Sequence, residues 1–116
     1  MDNQTEFQLA VEDTVEVPVK FTFKAGRVNK SFSFTVFCDR LDQDEINERR
    51  KTPDMLVTDF MRPLMKGWKD QLFVLDSHGK PADFSEGARD VMLNAAGVGT
   101  VIFNSYLKEV GAKEKN

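Results

Sequence analysis

The chain has 116 residues and a mass of 13.2 kDa, enough to close one compact core and too little for a multidomain enzyme. Hydrophobic residues make up 41% and charged residues 30%, a globular balance that excludes intrinsic disorder. Lysine and arginine number 16 against 19 acidic side chains, for a formal net charge of -3, which removes the general attraction to phosphate backbones on which nonspecific nucleic-acid binding rests.

The single cysteine, Cys38, has no partner for an intrachain disulfide, and with one histidine there is no Cys/His set of metal-ligand spacing, so a reducing cytoplasm fits best. Met1 to Glu6 lack the basic start and apolar core of a secretion signal, and no apolar run approaches the length needed to cross a bilayer. The chain is therefore read as soluble, unexported and without a membrane partner.

Phe7, Leu9 and Val11 alternate with polar residues and predict a first strand, turned by Glu12-Asp13-Thr14. Val15, Val17, Val19, Phe21 and Phe23 continue the alternation on one face, with Glu16, Lys20 and Thr22 on the other. Pro18 lies on the polar parity and marks an edge or a bulge, because it has no ladder donor. Lys24-Ala25-Gly26-Arg27 forms the turn, and Phe32, Phe34, Val36 and Cys38 resume the period, which makes residues 15–38 a hairpin.

Helices follow and cover the sheet. Asp42 with Glu45 three residues on is a capping-box pattern, acids fill the first turn, and Arg49, Arg50 and Lys51 fill the last. Leu41 and Ile46 are the few apolar anchors of this first helix. Thr52 as N-cap and Pro53 at the next position predict a second helix. On a helical wheel Leu56, Val57, Phe60, Met61, Leu64, Met65 and Trp68 fall within one half-circle. Pro63 interrupts the pattern and Gly67 ends it.

Gln71 to Leu75 read as a short strand or extended segment, closed by a turn at Asp76-Ser77-His78-Gly79. Ser85 caps a third helix with Ala88, Val91, Met92 and Ala95 as its apolar side, and Gly97 ends it. A fourth helix carries Ile102, Phe103, Tyr106, Leu107 and Val110 on one arc. The fold class is thus α+β: an N-terminal antiparallel sheet of two to three strands followed by about four helices packed on it. One domain spans residues 1–110, with a solvated tail over 111–116.

No catalytic residue, metal site or cofactor is assigned. Cys38 lies on the apolar parity of a strand and reads as an inert core thiol. His78 sits in turn chemistry and lacks a sequence-local partner for nucleophilic catalysis. The acids between Asp39 and Glu48 lack the glycine hinge and terminal glutamate of a calcium loop and read as helix-capping residues. Gly97-Val98-Gly99 lacks the strand-to-helix context of a phosphate cradle. Lysines interleaved with Phe21, Phe23, Phe32 and Phe34 resemble a stacking platform for single-stranded nucleic acid, but the rings share the apolar face that a small sheet needs for its core.

The half-cylinder from Leu56 to Trp68 is wider than one sheet can hide, and methionines 55, 61 and 65 make it adaptable. Leu56, Phe60, Met61, Leu64, Met65 and Trp68 are therefore the partner-binding candidates, with Trp68 at the rim of a groove; complete burial of the same residues in the core is the other reading.

The order of features along nearly the whole chain resembles the tail assembly chaperones of long-tailed bacteriophages and prophages. The residues that carry the resemblance are Phe7-Gln8-Leu9, Val17-Pro18-Val19, Phe32-Ser33-Phe34 and Arg40-Leu41, then Gly67-Trp68, the turn Asp76 to Pro81, Phe84-Ser85, Gly97-Val98 and Tyr106. Ala82-Asp83 between the proline and Phe84 leaves the detail of that turn open. The resemblance implies a non-catalytic protein of the host bacterial cytoplasm that binds the tape measure protein during tail morphogenesis. In family members lengthened by a frameshift, tail tube protein is a second partner. A minor structural or tail-completion protein of the virion is the alternative, followed by a small single-stranded nucleic-acid-binding protein.

Overall fold

The computed structural model describes residues 7–114. It is α+β, with a three-stranded antiparallel sheet of order β1-β2-β3 and four helices. The strands are β1 (Thr14–Ala25), β2 (Val28–Asp39) and β3 (Met65–Lys69); the helices are α1 (Gln43–Lys51), α2 (Val57–Met61), α3 (Glu86–Asn94) and α4 (Val98–Val110). Among the described residues no helix is long and apolar enough to cross a membrane.

The hairpin follows the alternation of its sequence. Val15, Val17 and Val19 on β1 and Phe34, Val36 and Cys38 on β2 are buried, and the register runs without a break from Thr14↔Asp39 to Ala25↔Val28. Gly26 opens the two-residue turn with φ +68°, a conformation that costs glycine little at the first central position of a tight hairpin. Pro18 keeps its place opposite Thr35, and β1 is an edge strand, where a missing ladder donor is tolerated. The rings towards the tip are half-buried and cover one another: Phe73 lies 4.9 Å from both Phe21 and Phe32 and stacks on Phe23 at 5.4 Å. The aromatic face is thus part of the packed interior, as its parity requires, and not an open platform.

The third strand is not the expected one. Phe7, Leu9 and Val11 form no strand and stand 80%, 77% and 54% exposed. The sheet is completed instead by β3, which pairs with Thr35 to Cys38 of β2. The register shifts between Phe37 and Cys38, so that Lys66 is the extra residue of a bulge. The free side of β2 is taken by a segment distant in sequence, while the outer side of β1 carries no strand.

The second helix also departs from expectation. Thr52 closes α1 rather than opening α2, its N–H donating to the Arg49 carbonyl. α2 begins only at Val57 and lasts five residues. Pro63 then sits in a 3-10 turn over Arg62–Leu64, and the chain leaves it directly as β3, with Gly67 inside the strand rather than at a helix end. Proline has no N–H for a continuing helix and its ring opposes the preceding turn. Beyond it the buried residues follow a strand. Gly67 permits this: a Cβ there would stand 3.3 Å from the Phe37 ring on the neighbouring strand.

The remaining elements keep their signatures. The capping box of α1 closes with Asp42 Oδ1 accepting from the Glu45 N–H and Glu45 Oε1 from the Asp42 N–H, both at 2.9 Å. Ser85 Oγ caps α3 through the Ala88 N–H at 3.0 Å. In α3 the buried face is Met92 and Leu93, while Val91 is 62% exposed, so the expected face is rotated by about one residue. α4 packs across β1 and α2 packs on α4, with Val98, Ile102, Tyr106 and Val110 inside. Between 71 and 75 there is no strand, only an isolated bridge from Leu75 to Pro81.

Candidate interaction surface

The segment expected to form a groove is divided by the fold among three environments. Phe60, Met61, Leu64 and Met65 are 2% exposed or less and belong to the core under α4 and the sheet. Leu56 is 63% exposed. Trp68, on β3, is half-buried elsewhere on the surface. A continuous helical groove from Leu56 to Trp68 therefore does not exist: the half-circle on the wheel came from a segment that is helix, turn and strand in succession.

What remains of it at the surface is a hollow of about 170 Å³ between the end of α1, α2 and α4. Phe60 and Phe103 meet edge to face there, their ring centres 5.1 Å apart, and Met55 and Leu56 stand beside them in solvent. The cationic rim has a structural origin. Arg49, in the last turn of α1, donates to the Phe60 carbonyl at 3.3 Å and lies 5.6 Å from the Phe60 ring centre. Its guanidinium thus binds α1 to α2 and leaves a cation over an aromatic floor. Arg50 follows it on the rim. Asp54 holds φ +62° in the turn that brings Met55 and Leu56 round, a backbone region that aspartate tolerates better than most side chains.

Trp68 occupies a second, wider hollow of about 390 Å³ with Leu72, Pro81 and Phe84. Its Nε1 donates to the Ala82 carbonyl at 3.2 Å, and its ring meets Phe84 edge to face at 5.0 Å. Gln71, buried to 3% exposure, builds this wall. Its Oε1 accepts from the N–H groups of Phe73 and Val74, while its Nε2 donates to the carbonyls of Val74 and Ala82. One side chain thus satisfies the backbone of a loop that would otherwise bury unpaired groups. Sequence reasoning missed it, because nothing in the pattern separates a core glutamine from a solvated one.

The titratable groups whose pKa is shifted are held by burial or by neighbouring side chains. Burial pushes the Cys38 thiol up to about 12, with Asp39 adding to the shift, so it is held as an unreactive thiol. Tyr106 is fully buried on α4; its hydroxyl donates to the Asp39 carbonyl at 2.8 Å and accepts from the Leu41 N–H at 3.0 Å. Burial raises its pKa as well. Arg62 donates to Asp59 at 2.8 Å and to Asp90 at 3.1 Å, and hydrogen bonds from Arg89 and Arg62 lower the Asp90 pKa. The Arg62–Asp90 pair ties α3 to the turn after α2. His78 is exposed in its turn, its N–H donating to Asp76 Oδ1 at 2.8 Å. Among the described residues no group of three or more His, Cys, Asp or Glu is placed to hold a metal ion.

No family model, no curated protein and no solved structure matches the chain.

Proposed function

We propose that this chain is a tail assembly chaperone of a long-tailed bacteriophage or prophage. In this reading it is a non-catalytic protein of the host bacterial cytoplasm that binds the tape measure protein and keeps it soluble while the tail tube assembles. The order of sequence features supports the family. The observation that carries the binding role is the apolar pair Met55 and Leu56 standing in solvent beside the Phe60 and Phe103 hollow, under Arg49 and Arg50. A hollow of about 170 Å³ takes one large apolar side chain, whereas small-molecule sites run from roughly 300 to 1,000 Å³. An amphipathic helix offers such a side chain, with acidic neighbours at helical spacing for the two arginines.

An extended amphipathic rod exposes more apolar surface than is soluble, and a small domain can mask part of it reversibly. Masking about 400 Å² is worth on the order of 10 kcal/mol before association costs remove much of it, which leaves affinity in the micromolar range and allows release.

The test is co-expression with the cognate tape measure protein of the same phage or prophage. Its soluble yield rises with the wild-type chain and falls back with Leu56→Glu. If the tape measure protein is equally soluble alone, the chaperone reading fails. Finding this chain in purified tails would favour the virion-component reading instead.

A further inference from the structure

The hollow beside Trp68 differs in kind from the one at Phe60 and Phe103, which is rimmed by Arg49 and Arg50. Its walls are two aromatic rings, Trp68 and Phe84, and two apolar side chains in solvent, Leu72 and Pro81. Asp70 and Asp83 complete it. Both carboxylates are exposed, and among the described residues neither is in an ion pair. The cation nearest in sequence, Lys69, follows Trp68 on β3, so its side chain leaves the opposite face of the strand. Asp70 holds φ +64° where the chain turns out of β3, a backbone region that aspartate and asparagine tolerate better than most residues.

The indole is held by the chain itself. Its Nε1 donates to the Ala82 carbonyl, which also accepts from Gln71 Nε2 at 3.0 Å, so the one polar handle of the ring is used internally. What Trp68, Phe84, Asp70 and Asp83 offer to a ligand is ring surface and carboxylate oxygen. Both are negative: the face of an aromatic ring carries the negative side of its quadrupole and attracts a cation within about 6 Å of the ring centre. A neutral apolar group would cover the rings and desolvate the carboxylates without giving them a partner. An anion would be repelled by them. A guanidinium suits both kinds of wall, because its plane stacks on aromatic faces while its fork of N–H donors binds carboxylates.

We propose that this hollow is a docking site for an arginine side chain presented by a segment of a partner protein. The guanidinium lies against Trp68 and Phe84 and donates to Asp70 and Asp83, while an apolar neighbour in the same segment covers Leu72, which is otherwise 63% exposed, and Pro81. Lysine enters the same site more weakly, since an ammonium has no plane to stack and no fork to pair with carboxylates. The site therefore selects a basic segment, the opposite sign to the acidic one that suits Arg49 and Arg50. The inference does not depend on the chaperone reading.

Trp68 is the only tryptophan of the chain, so its fluorescence reads the site directly. The full chain is titrated with a blocked peptide carrying one arginine between two leucines, with the same peptide carrying citrulline, which keeps the planar group and loses the charge, and with free argininamide. The arginine peptide should change the emission saturably, and citrulline should weaken binding at least about tenfold. Asp70→Asn with Asp83→Asn should weaken the arginine peptide by a similar factor at an unchanged circular dichroism spectrum, because asparagine also tolerates the backbone of Asp70. Four results overturn the proposal: an emission that the arginine peptide leaves unchanged at millimolar concentration, a citrulline peptide bound as tightly, an affinity indifferent to both substitutions, or argininamide bound as tightly as the peptide, which would make this a site for a small cation. The citrulline comparison uses the wild-type chain and so decides the matter even if the double variant does not fold.

Discussion

Gly99 on α4 faces Thr58 on α2, and adding one carbon there tests how firmly the two are packed. A Cβ at this position would stand 2.8 Å from Thr58 Cγ2, with Leu93 Cδ2 at 3.9 Å. Carbon atoms pack at roughly 3.5 to 4.0 Å, so the shortfall is at least about 0.7 Å. To relieve it, Thr58 must leave its χ1 rotamer or α2 must shift away from α4. Overpacking of this kind costs about 1–3 kcal/mol, and replacing glycine in a helix returns up to about 1 kcal/mol. Gly99→Ala should therefore destabilise by up to about 2 kcal/mol. Thr58→Ser deletes the opposing methyl, and in that background Gly99→Ala should be neutral or stabilising by up to about 1 kcal/mol. Urea unfolding followed by circular dichroism, at constant denaturant slope, gives the four stabilities of the cycle. An equal cost of Gly99→Ala in both backgrounds would show that the Thr58 contact does not limit this approach and would refute the argument.

Tyr106→Phe should cost about 1–3 kcal/mol, since it leaves the Leu41 N–H and the Asp39 carbonyl without their phenol partner; an unchanged urea midpoint would contradict this. Cys38 keeps its proton in the fold up to about 12 against an ordinary 9.0, so the unfolded chain loses it first. The stability this contributes is complete below pH 9 and is lost as pH rises towards 12, by on the order of 1.4 kcal/mol per unit. Cys38→Val should flatten that part of the pH–stability profile, and parallel profiles would sink the assignment. Trp68→Phe should cost less than about 1 kcal/mol, because the ring still meets Phe84 and the Ala82 carbonyl keeps its bond from Gln71; a loss as large as that of Tyr106→Phe would be the contrary result. Leu56→Glu should leave stability within about 0.5 kcal/mol while lowering retention of the tape measure protein, and a large drop in melting temperature would show that Leu56 is a packing residue.

What the sequence determined was local. Period-two alternation set the hairpin and its buried face, because side chains on a strand alternate whatever the strand pairs with. Asp42 with Glu45, and Ser85 before α3, placed two helix starts, since a cap needs only its own turn of backbone. The single cysteine on an apolar parity, and the turn around His78, were legible for the same reason.

The tertiary structure decided what depends on distant partners. Phe7, Leu9 and Val11 alternate as a strand does but pair with neither edge of the hairpin, and the third strand beside β2 comes from Met65–Lys69 instead. The run from Leu56 to Trp68 looked amphipathic at helical period because its buried pairs, Phe60-Met61 and Leu64-Met65, stand four residues apart, a spacing that a helix followed by a turn and a strand supplies equally well here. Pro63 decided that it could not remain helical, and packing placed Phe60, Met61, Leu64 and Met65 in the core while leaving Leu56 outside. The candidate hollow joins Arg49, Leu56, Phe60 and Phe103 from three helices. A wider hollow lined by Leu9, Glu12, Arg40, Asp42 and Val110 likewise joins residues from both ends of the chain. Neither could be read from spacing, because sites of this kind are assembled by long-range closure, whose geometry no local propensity carries.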